Sequence, residues 1–116
     1  MKYMLLIHTE EAAMAGMSEK EGGEHMAAWY AFDAEARKRT TVLDDAPLLA
    51  VGTATTVRSD RTTAVLSDGP FAETKEQLGG YYLIDANHLD EATAMAGMMP
   101  NLGLGGSVEV RPLMEM

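Results

Sequence analysis

The two ends of the chain carry different patterns of apolar residues. Residues 3–7 read YMLLI, a short continuous apolar run that is typical of a strand buried on both faces. Residues 107–113 read SVEVRPL, in which two valines point to one face while Ser107, Glu109 and Arg111 point to the other. Both patterns predict strands, one at each end of the chain.

Helical spacing appears twice between these ends. Residues 24–39 repeat in steps of three and four, which predicts a helix with one continuous stripe: Met26, Trp29, Tyr30, Asp33 and Arg37. The preceding residues 8–23 are polar and rich in small side chains, and they predict a loop with a helical turn. A second helix is predicted over residues 91–99, with Asn87 or Asp90 as its cap and Pro100 as its end.

Four further strands are predicted from β-branched and aromatic runs. They cover residues 40–43, 53–58, 62–67 and 81–86, and a short turn at 59–61 joins the middle two into a hairpin. The resulting order is βαββαβ with an inserted hairpin. This order matches a ferredoxin-like α+β sandwich, in which two helices cover one face of an antiparallel sheet, and it predicts a single domain over residues 1–116.

A sheet covered on one side leaves its other side open. The strands YMLLI and YYLI are apolar on both faces, yet two helices cover only one of them. An open apolar face is rare on a monomer, and a second copy packed face to face would cover it. We therefore predict a homodimer that buries the face carrying Leu5 or Leu6 and Tyr81 or Tyr82.

Composition and charge exclude several classes of function. The chain has 18 acidic residues against 9 Lys and Arg, a formal net charge of −9, which disfavours binding to a nucleic acid. It has no cysteine, so it has no disulfide, thiol nucleophile or cysteine-ligated zinc. Its ten methionines predict a core packed by flexible side chains rather than a methionine-rich metal site.

The N-terminal region predicts neither a signal peptide nor a membrane anchor. Its apolar run stops at His8, well short of the roughly 7–15 residues of a signal core or the ~20 of a membrane helix. We therefore expect a cytoplasmic protein with no membrane partner. The three histidines, His8, His25 and His88, lack the spacing of a metal site, and we expect neither a metal nor an organic cofactor.

A 19-residue segment carries a family resemblance. Residues 68–86 read DGPFAETKEQLGGYYLIDA, which resembles the signature of the DGPF proteins, a branch of the YCII-related family. The opening MKYMLLIH and the closing GGSVEVRPLME resemble the two ends of the same family, so the likeness runs the full length. The resemblance implies a ferredoxin-like fold and dimers of the dimeric α+β barrel kind.

The same resemblance implies a site. In the wider family a His–Asp pair is thought to form the active site, and at least one relative is a dehydrochlorinase. The family's helix histidine matches His25, while both Asp68 and Asp33 are candidates for its partner. This chain departs from the family at Thr40, where a glycine usually ends the helix, and at Gly105, where an aromatic residue or a histidine often stands.

His25 and Asp68 are the candidate catalytic residues. An imidazole titrates near neutral pH and can act as a general base, although a histidine at a helix start can equally be an idle surface residue. Asp33 lies eight residues after His25, roughly 12 Å along a helix, which is too far for a direct hydrogen bond. Asp68 would reach His25 only through tertiary folding, and its alternative role is to form a turn.

The charged segment that starts at Asp68 supplies candidate ligand-binding residues. Glu73 and Lys75 lie within it, and the alternative for them is a solvated loop with weak ion pairs. Because long ordered loops tend to be functional, we expect this one to form a wall of a small cleft near His25. Arg111 is a third candidate, since its guanidinium can hold a carboxylate, unless it pairs with Glu109.

Two functions of different class fit these observations. The first is a cofactor-independent small-molecule enzyme that uses His25 for proton abstraction with elimination or isomerisation. The second is a non-catalytic dimeric module that binds or senses a small ligand. The first requires His25 to face a pocket, whereas the second predicts that His25 faces solvent.

Overall fold

The computed structural model describes all residues from 1 to 116. Its helices and strands, in chain order, are β1 (Lys2–Thr9), α1 (Glu11–Ala15), α2 (Glu19–Arg39), β2 (Thr41–Pro47), β3 (Thr55–Ser59), β4 (Ala64–Asp68), β5 (Gln77–Asp85), α3 (Leu89–Ala96) and β6 (Ser107–Pro112). Two 3-10 segments, Val51–Thr53 and Pro100–Leu104, precede β3 and β6. None of the helices is both long and apolar enough to cross a membrane.

Four strands form one antiparallel sheet with the order β2-β5-β1-β6. This order places the first and third strands of the βαββαβ core at the centre, as in a ferredoxin-like sheet. Strands β3 and β4 pair only with each other, as a separate hairpin inserted between β2 and β5. The predicted α+β, ferredoxin-like fold with an inserted hairpin is confirmed.

The central strand β1 alternates rather than burying both faces. Tyr3, Leu5 and Ile7 are buried beneath the helices, while Met4 and Leu6 point to the opposite face and stay half-exposed. The buried row continues into the other strands and both long helices through Phe32, Tyr82, Ile84, Ala92 and Met95. The open face predicted from the sequence is therefore present, and Leu6 and Tyr81 lie on it, opposite each other in the β1–β5 register.

The prediction of a methionine-packed core is wrong. Met95 and Met99 are the only two of the ten methionines that are buried. Aromatic and aliphatic side chains fill the core instead, with Phe32 packed edge-to-face against Tyr82 at a centroid distance of 5.3 Å. Composition gives the number of methionines but not their positions. Most methionines of this chain lie on helix faces or in segments that do not pack against the sheet.

Helix α2 begins at Glu19, five residues before the start of the helix predicted over residues 24–39. Ser18 Oγ accepts a hydrogen bond from the backbone N–H of Glu21 (3.1 Å), and the Glu21 carboxylate accepts one from the backbone N–H of Ser18 (3.2 Å). This reciprocal capping box satisfies two of the free N–H groups of the first turn. It offsets part of the cost of about 1 kcal/mol for each of Gly22 and Gly23 within a helix.

Helix α2 does not end in a glycine cap, as the threonine at position 40 predicts. Thr40 has an extended backbone (φ −137°), so α2 runs straight into β2 without a left-handed residue. Helix α3 is capped by His88, whose side chain accepts a hydrogen bond from the backbone N–H of Glu91. Neither Asn87 nor Asp90 is the cap, because the helix begins between them at Leu89.

The glycine pair lies inside β5 rather than in the preceding loop. The register of β1 with β5 passes from Ile7–Gly80 to His8–Leu78, so Gly79 is the extra residue of a β-bulge. A Cβ on Gly80 would lie 2.9 Å from the carbonyl oxygen of Ala46 in the neighbouring strand. Gly79 therefore forms a bulge, and Gly80 allows a close approach of two strand backbones.

Candidate functional site

A cavity of about 800 Å³ opens between α2 and the sheet. One wall is the stripe of α2 that helical spacing predicts, together with His25, which lies one turn before Trp29. Backbone and side chains of β5, including Gly80 and Tyr82, line the sheet side. Helix α1 and the segment after β2 enclose the remaining sides, and Glu11 Oε1 ties them together by accepting a hydrogen bond of 2.9 Å from the backbone N–H of Val51.

His25 is half-buried and lines this cavity. Its Nε2 atom accepts a hydrogen bond of 3.0 Å from the indole N–H of Trp29, one turn further along α2. The two rings meet edge-to-face at a centroid distance of 6.2 Å and an interplanar angle of 88°. No carboxylate lies within hydrogen-bond or ion-pair distance of His25, so its immediate partner is an indole rather than the aspartate that the resemblance implies.

A fixed polar cluster lies further along the same wall. Asp33 accepts hydrogen bonds from the Tyr82 hydroxyl (2.7 Å) and from Arg37 Nε (3.0 Å). The second arm of the Arg37 guanidinium donates to Asp45 Oδ2 at 2.9 Å, so one cation holds two carboxylates. The cluster therefore joins α2, β2 and β5 at the cavity wall.

These contacts shift the pKa values of the acid and of the phenol in opposite directions. The hydrogen bond from Arg37, followed by that from Tyr82, lowers the pKa of Asp33, because both stabilise the carboxylate. Burial, followed by the hydrogen bond to Asp33, raises the pKa of Tyr82. At neutral pH the cavity therefore holds an ionised Asp33 and an un-ionised Tyr82.

The lining of the cavity has an excess of negative charge. Its carboxylates are Glu11, Asp33 and Asp45, and its single guanidinium is that of Arg37. The remainder of the lining is largely apolar or aromatic, including Ile7 and Trp29. A cavity with a negatively charged and largely apolar lining favours uncharged or cationic molecules over anions.

Asp68 lies outside this cavity. It ends β4, opposite Thr55, and its side chain is exposed. The next residue, Gly69, has a left-handed backbone (φ 96°), and its N–H donates to the carbonyl of Ala54 at 2.7 Å. Thr56 Oγ1 in turn donates to the Gly69 carbonyl at 2.7 Å. Within the chain the start of the signature thus fixes the base of the hairpin, and a His25–Asp68 pair does not form.

The candidate ligand-binding residues do not line the cavity either. Glu73 is exposed, and Lys75 Nζ lies 3.8 Å from Glu10 Oε2 in a largely solvated ion pair. Arg111 Nε lies 3.7 Å from Glu109 Oε2 on the strand face that they share. The expectation that residues 68–76 form a wall near His25 is not met within the chain, because the strand and its glycine pair, not the loop, reach the cavity.

Gly105 has a structural reason for being glycine in this chain. It ends the 3-10 segment with a left-handed backbone (φ 81°), which glycine adopts without strain. It does not line the cavity. In this chain the residue at this position therefore contributes nothing to the wall of the cavity.

The sequence does not predict the polar residues Tyr82, Asp45 and Glu11 as part of a site, although all of them line the cavity. Local pattern predicts Tyr82 only as part of an apolar strand and Glu11 only as part of a loop, and it gives Asp45 no role. One signal was available, since Asp33 and Arg37 are four residues apart on a helix and such acid–base pairs contact each other. The partners from β2 and β5 required the register of the sheet, which the sequence does not state.

Comparisons with known proteins agree with this architecture. The YCII-related domain matches residues 1–116. An uncharacterized protein of Rhizobium meliloti (strain 1021) is 37% identical over 114 residues, covering 97% of this chain and 92% of that protein.

A solved structure shares the fold at low sequence identity. It is 5-chloro-2-hydroxyhydroquinone dehydrochlorinase (TftG) from Burkholderia phenoliruptrix AC1100, in complex with 2,5-dihydroxybenzoquinone. The TM-score is 0.60 at 14% identity, and the match covers 100% of this chain and 96% of that one. This likeness shows the fold alone. The full-length family match and the relative at 37% identity show more: the chain belongs to the YCII-related domain family.

Proposed function

We propose that the chain is a cofactor-independent enzyme that moves a proton on a small molecule bound in the cavity beneath α2. The observation that carries the proposal is the cavity itself, which brings the His25 imidazole, an apolar wall and the Asp33–Tyr82–Arg37 cluster into one space. Its volume of about 800 Å³ is within the range of small-molecule sites. An elimination or an isomerisation fits, since both need positioned proton donors and acceptors.

The charge of the lining defines the class of substrate. Because three carboxylates face one guanidinium, an anion would be repelled, and we propose as substrate an uncharged ring-sized molecule whose hydroxyl or carbonyl oxygens hydrogen-bond to the polar groups of the lining. In an elimination, a base takes the proton and the leaving group departs as an anion with the bonding electrons. No oxidant or reductant is consumed in either reaction.

The structural neighbour offers a first reaction to test. Since that protein is a dehydrochlorinase, the release of chloride from 5-chloro-2-hydroxyhydroquinone is the direct assay. We expect His25→Asn to lose at least about a hundredfold in kcat/KM, the lower end of what a positioned acid or base group contributes. The matched control is His88→Asn, because His88 lies outside the cavity and asparagine preserves a helix cap.

Binding provides a second arm that does not depend on turnover. We expect hydroquinone to bind more tightly than 2,5-dihydroxybenzoate, which has the same ring with an added negative charge. Titration calorimetry measures both. Tighter binding of the benzoate would contradict the assigned substrate class, and no binding of either compound together with no chloride release would reject this cavity as a site for such molecules.

One observation favours the non-catalytic alternative. The Nε2 atom of His25 is already engaged by Trp29, so it is not free to take a proton from a ligand. A binding module predicts that hydroquinone binds and that His25→Asn weakens this binding, while NMR detects no product from any chlorinated or unchlorinated hydroquinone. The enzyme proposal predicts product in the same samples.

We also propose that the working form is a homodimer formed through the open sheet face. Met4, Leu6 and Leu83 form the apolar centre of this face, with Tyr81 beside them. The accessible surface of one chain is 7771 Å², against about 6,200 Å² for a compact monomer of this mass. The excess of roughly 1,600 Å² exceeds the ~800 Å² that each partner buries in a standard interface.

The shape of the chain supports the same proposal. Its extents are 47 × 44 × 18 Å and its radius of gyration is 15.9 Å, against about 13 Å for a compact domain of this length. Light scattering should give twice the chain mass of 12.5 kDa at micromolar concentration. Leu6→Asp should return the mass to that of one chain, whereas Leu66→Asp, on the hairpin, should not. A wild-type mass of one chain would contradict the proposal.

A further inference from the structure

Trp29 determines which nitrogen of His25 carries the proton. The indole N–H of Trp29 can only donate, and the atom it meets at 3.0 Å is His25 Nε2. That nitrogen must therefore present a lone pair, and the proton of the neutral ring must lie on Nδ1. We infer that Trp29 is a positioning residue that holds His25 in the Nδ1–H tautomer.

The indole is itself held by the hydrophobic core. Trp29 packs edge-to-face on Phe32 at a centroid distance of 5.6 Å, and Phe32 packs edge-to-face on Tyr82 at 5.3 Å. Phe32 and Tyr82 are both buried. The chain of rings thus runs from the core to His25, and the indole N–H keeps its direction because its neighbours leave it little freedom to rotate.

The tautomer sets the role of His25 toward a ligand. With Nε2 engaged, Nδ1–H is the ring position left for a bound molecule, and it donates a hydrogen bond rather than accepting a proton. A neutral imidazole used in this way polarises a carbonyl or stabilises a developing oxyanion. This step rests on the proposed function of the cavity, and it makes the ligand a molecule with an acceptor oxygen.

The proton acceptor of the proposed reaction is then a carboxylate. Both oxygens of Asp33 already accept hydrogen bonds, from Tyr82 and Arg37, which weakens that carboxylate as a base. Glu11 and Asp45 each keep one oxygen without a hydrogen bond and line the same cavity. A carboxylate of this wall takes the proton from the substrate, while His25 holds the oxygen whose charge develops.

The tautomer is measured without any ligand. Long-range ¹H–¹⁵N correlation spectra of the wild-type protein at neutral pH, with His25 assigned through His25→Asn, should show the Nδ1–H form. Trp29→Phe should convert His25 to the Nε2–H form that histidine side chains favour in water. Tyr30→Phe is the matched control, because Tyr30 lines the cavity but makes no hydrogen bond to His25. An Nε2–H wild type, or an unchanged tautomer in Trp29→Phe, would overturn the inference.

A second measurement uses only the wild-type protein. The chain has a single tryptophan, so its indole N–H signal is unambiguous. A hydrogen bond between two nitrogens transmits a scalar coupling, and we expect one between Trp29 Nε1 and His25 Nε2. Its absence at neutral pH in a folded sample would overturn the inference even if Trp29→Phe fails to fold.

The step that concerns the ligand has its own outcome. Hydroquinone should bind Trp29→Phe about tenfold more weakly than the wild type, because a donor held toward the ligand is lost. Equal binding would remove the role of Trp29 in ligand recognition and leave the tautomer assignment standing. No binding to the wild type would instead count against the proposed function, so the two failures are distinguishable.

Discussion

The segment 68–76 and the α2 stripe differ in how much they stand out in the sequence and in what they do in the fold. The segment opens with a distinctive Asp-Gly-Pro-Phe signature and carries several charges, yet it runs from a hairpin to a sheet strand and stays outside the cavity. The stripe of α2 is an ordinary helical pattern, yet it gives one wall of the cavity a carboxylate and a guanidinium, and the neighbouring His25 adds an imidazole.

A distinctive sequence motif can reflect requirements of the backbone rather than contact with a ligand. Gly69 and Gly80 meet backbone requirements, a left-handed conformation in one case and a close strand approach in the other. Such positions accept few residue types, so they produce a recognisable motif without touching a ligand. The residues of α2 gain their chemistry from neighbours on other strands, and this leaves no local motif.

The largest effect is expected at Gly80. In Gly80→Val the new Cβ would lie 2.9 Å from the Ala46 carbonyl oxygen and 3.3 Å from Pro47 Cα, both in the backbone of β2. Because the backbone cannot move aside without breaking strand pairing, we expect the free energy of unfolding to fall by about 3 kcal/mol. Urea denaturation at fixed protein concentration measures the change.

A glycine of α2 provides the opposite case. A Cβ on Gly22 would meet nothing within 4 Å, and Gly22 has ordinary helical geometry. Gly22→Ala should therefore raise the free energy of unfolding by about 0.5–1 kcal/mol. If Gly80→Val unfolds at the same urea concentration as the wild type, the signature would not be explained by close backbone approach.

Local sequence pattern predicts the fold of this chain more fully than its site. The ferredoxin-like order, the inserted hairpin and the open sheet face followed from local periodicity, which depends on near neighbours in the chain. Trp29, Asp33 and Arg37 were placed on one helical stripe for the same reason. Tyr82 and Asp45 join them only through the pairing of β2 with β5, shifted by a bulge near Leu43, and a one-residue shift cannot be read from local pattern.

The next effect in size is expected at Tyr82, which links the core to the polar cluster. Tyr82→Phe removes the hydroxyl that donates to Asp33, and we expect the free energy of unfolding to fall by about 1 kcal/mol at neutral pH. The raised pKa of Tyr82 also makes the wild type lose stability as the pH rises above about 10, where the unfolded phenol ionises first. The variant should lose less over that range.

The matched control for alkaline pH is Tyr81→Phe. The hydrogen bond to Asp44 raises the pKa of Tyr81 as well, but this residue is more exposed and lies outside the Asp33 cluster. Tyr81→Phe should keep most of the alkaline loss measured by thermal unfolding between about pH 9 and 11. An identical alkaline profile in wild type and Tyr82→Phe would show that Tyr82 does not hold its proton through burial.

A smaller effect is expected at Asp33. Its pKa is lowered, so the stability that its ion pair and hydrogen bonds provide is present above the unfolded value near 4 and is lost as the pH falls through the folded value. Because the side chain is one-third exposed, we expect the contribution of Asp33 to the free energy of unfolding to be below about 1 kcal/mol. Asp33→Asn should flatten acid unfolding, measured by circular dichroism, while Glu73→Gln should leave it unchanged.

The smallest effect on stability is expected at Asp68, and it tests the comparison most directly. Its side chain is exposed and makes no hydrogen bond, so Asp68→Asn should change the free energy of unfolding by less than about 0.5 kcal/mol. Since Asp68 does not line the cavity of its own chain, binding of hydroquinone should also stay at the wild-type value, whereas Asp33→Asn should weaken it. Titration calorimetry compares the two variants directly, because each replaces one aspartate by an asparagine. If a folded Asp68→Asn no longer binds hydroquinone, Asp68 reaches the cavity of a second copy. The segment 68–76 would then contribute to the site, and its contrast with the α2 stripe would be wrong.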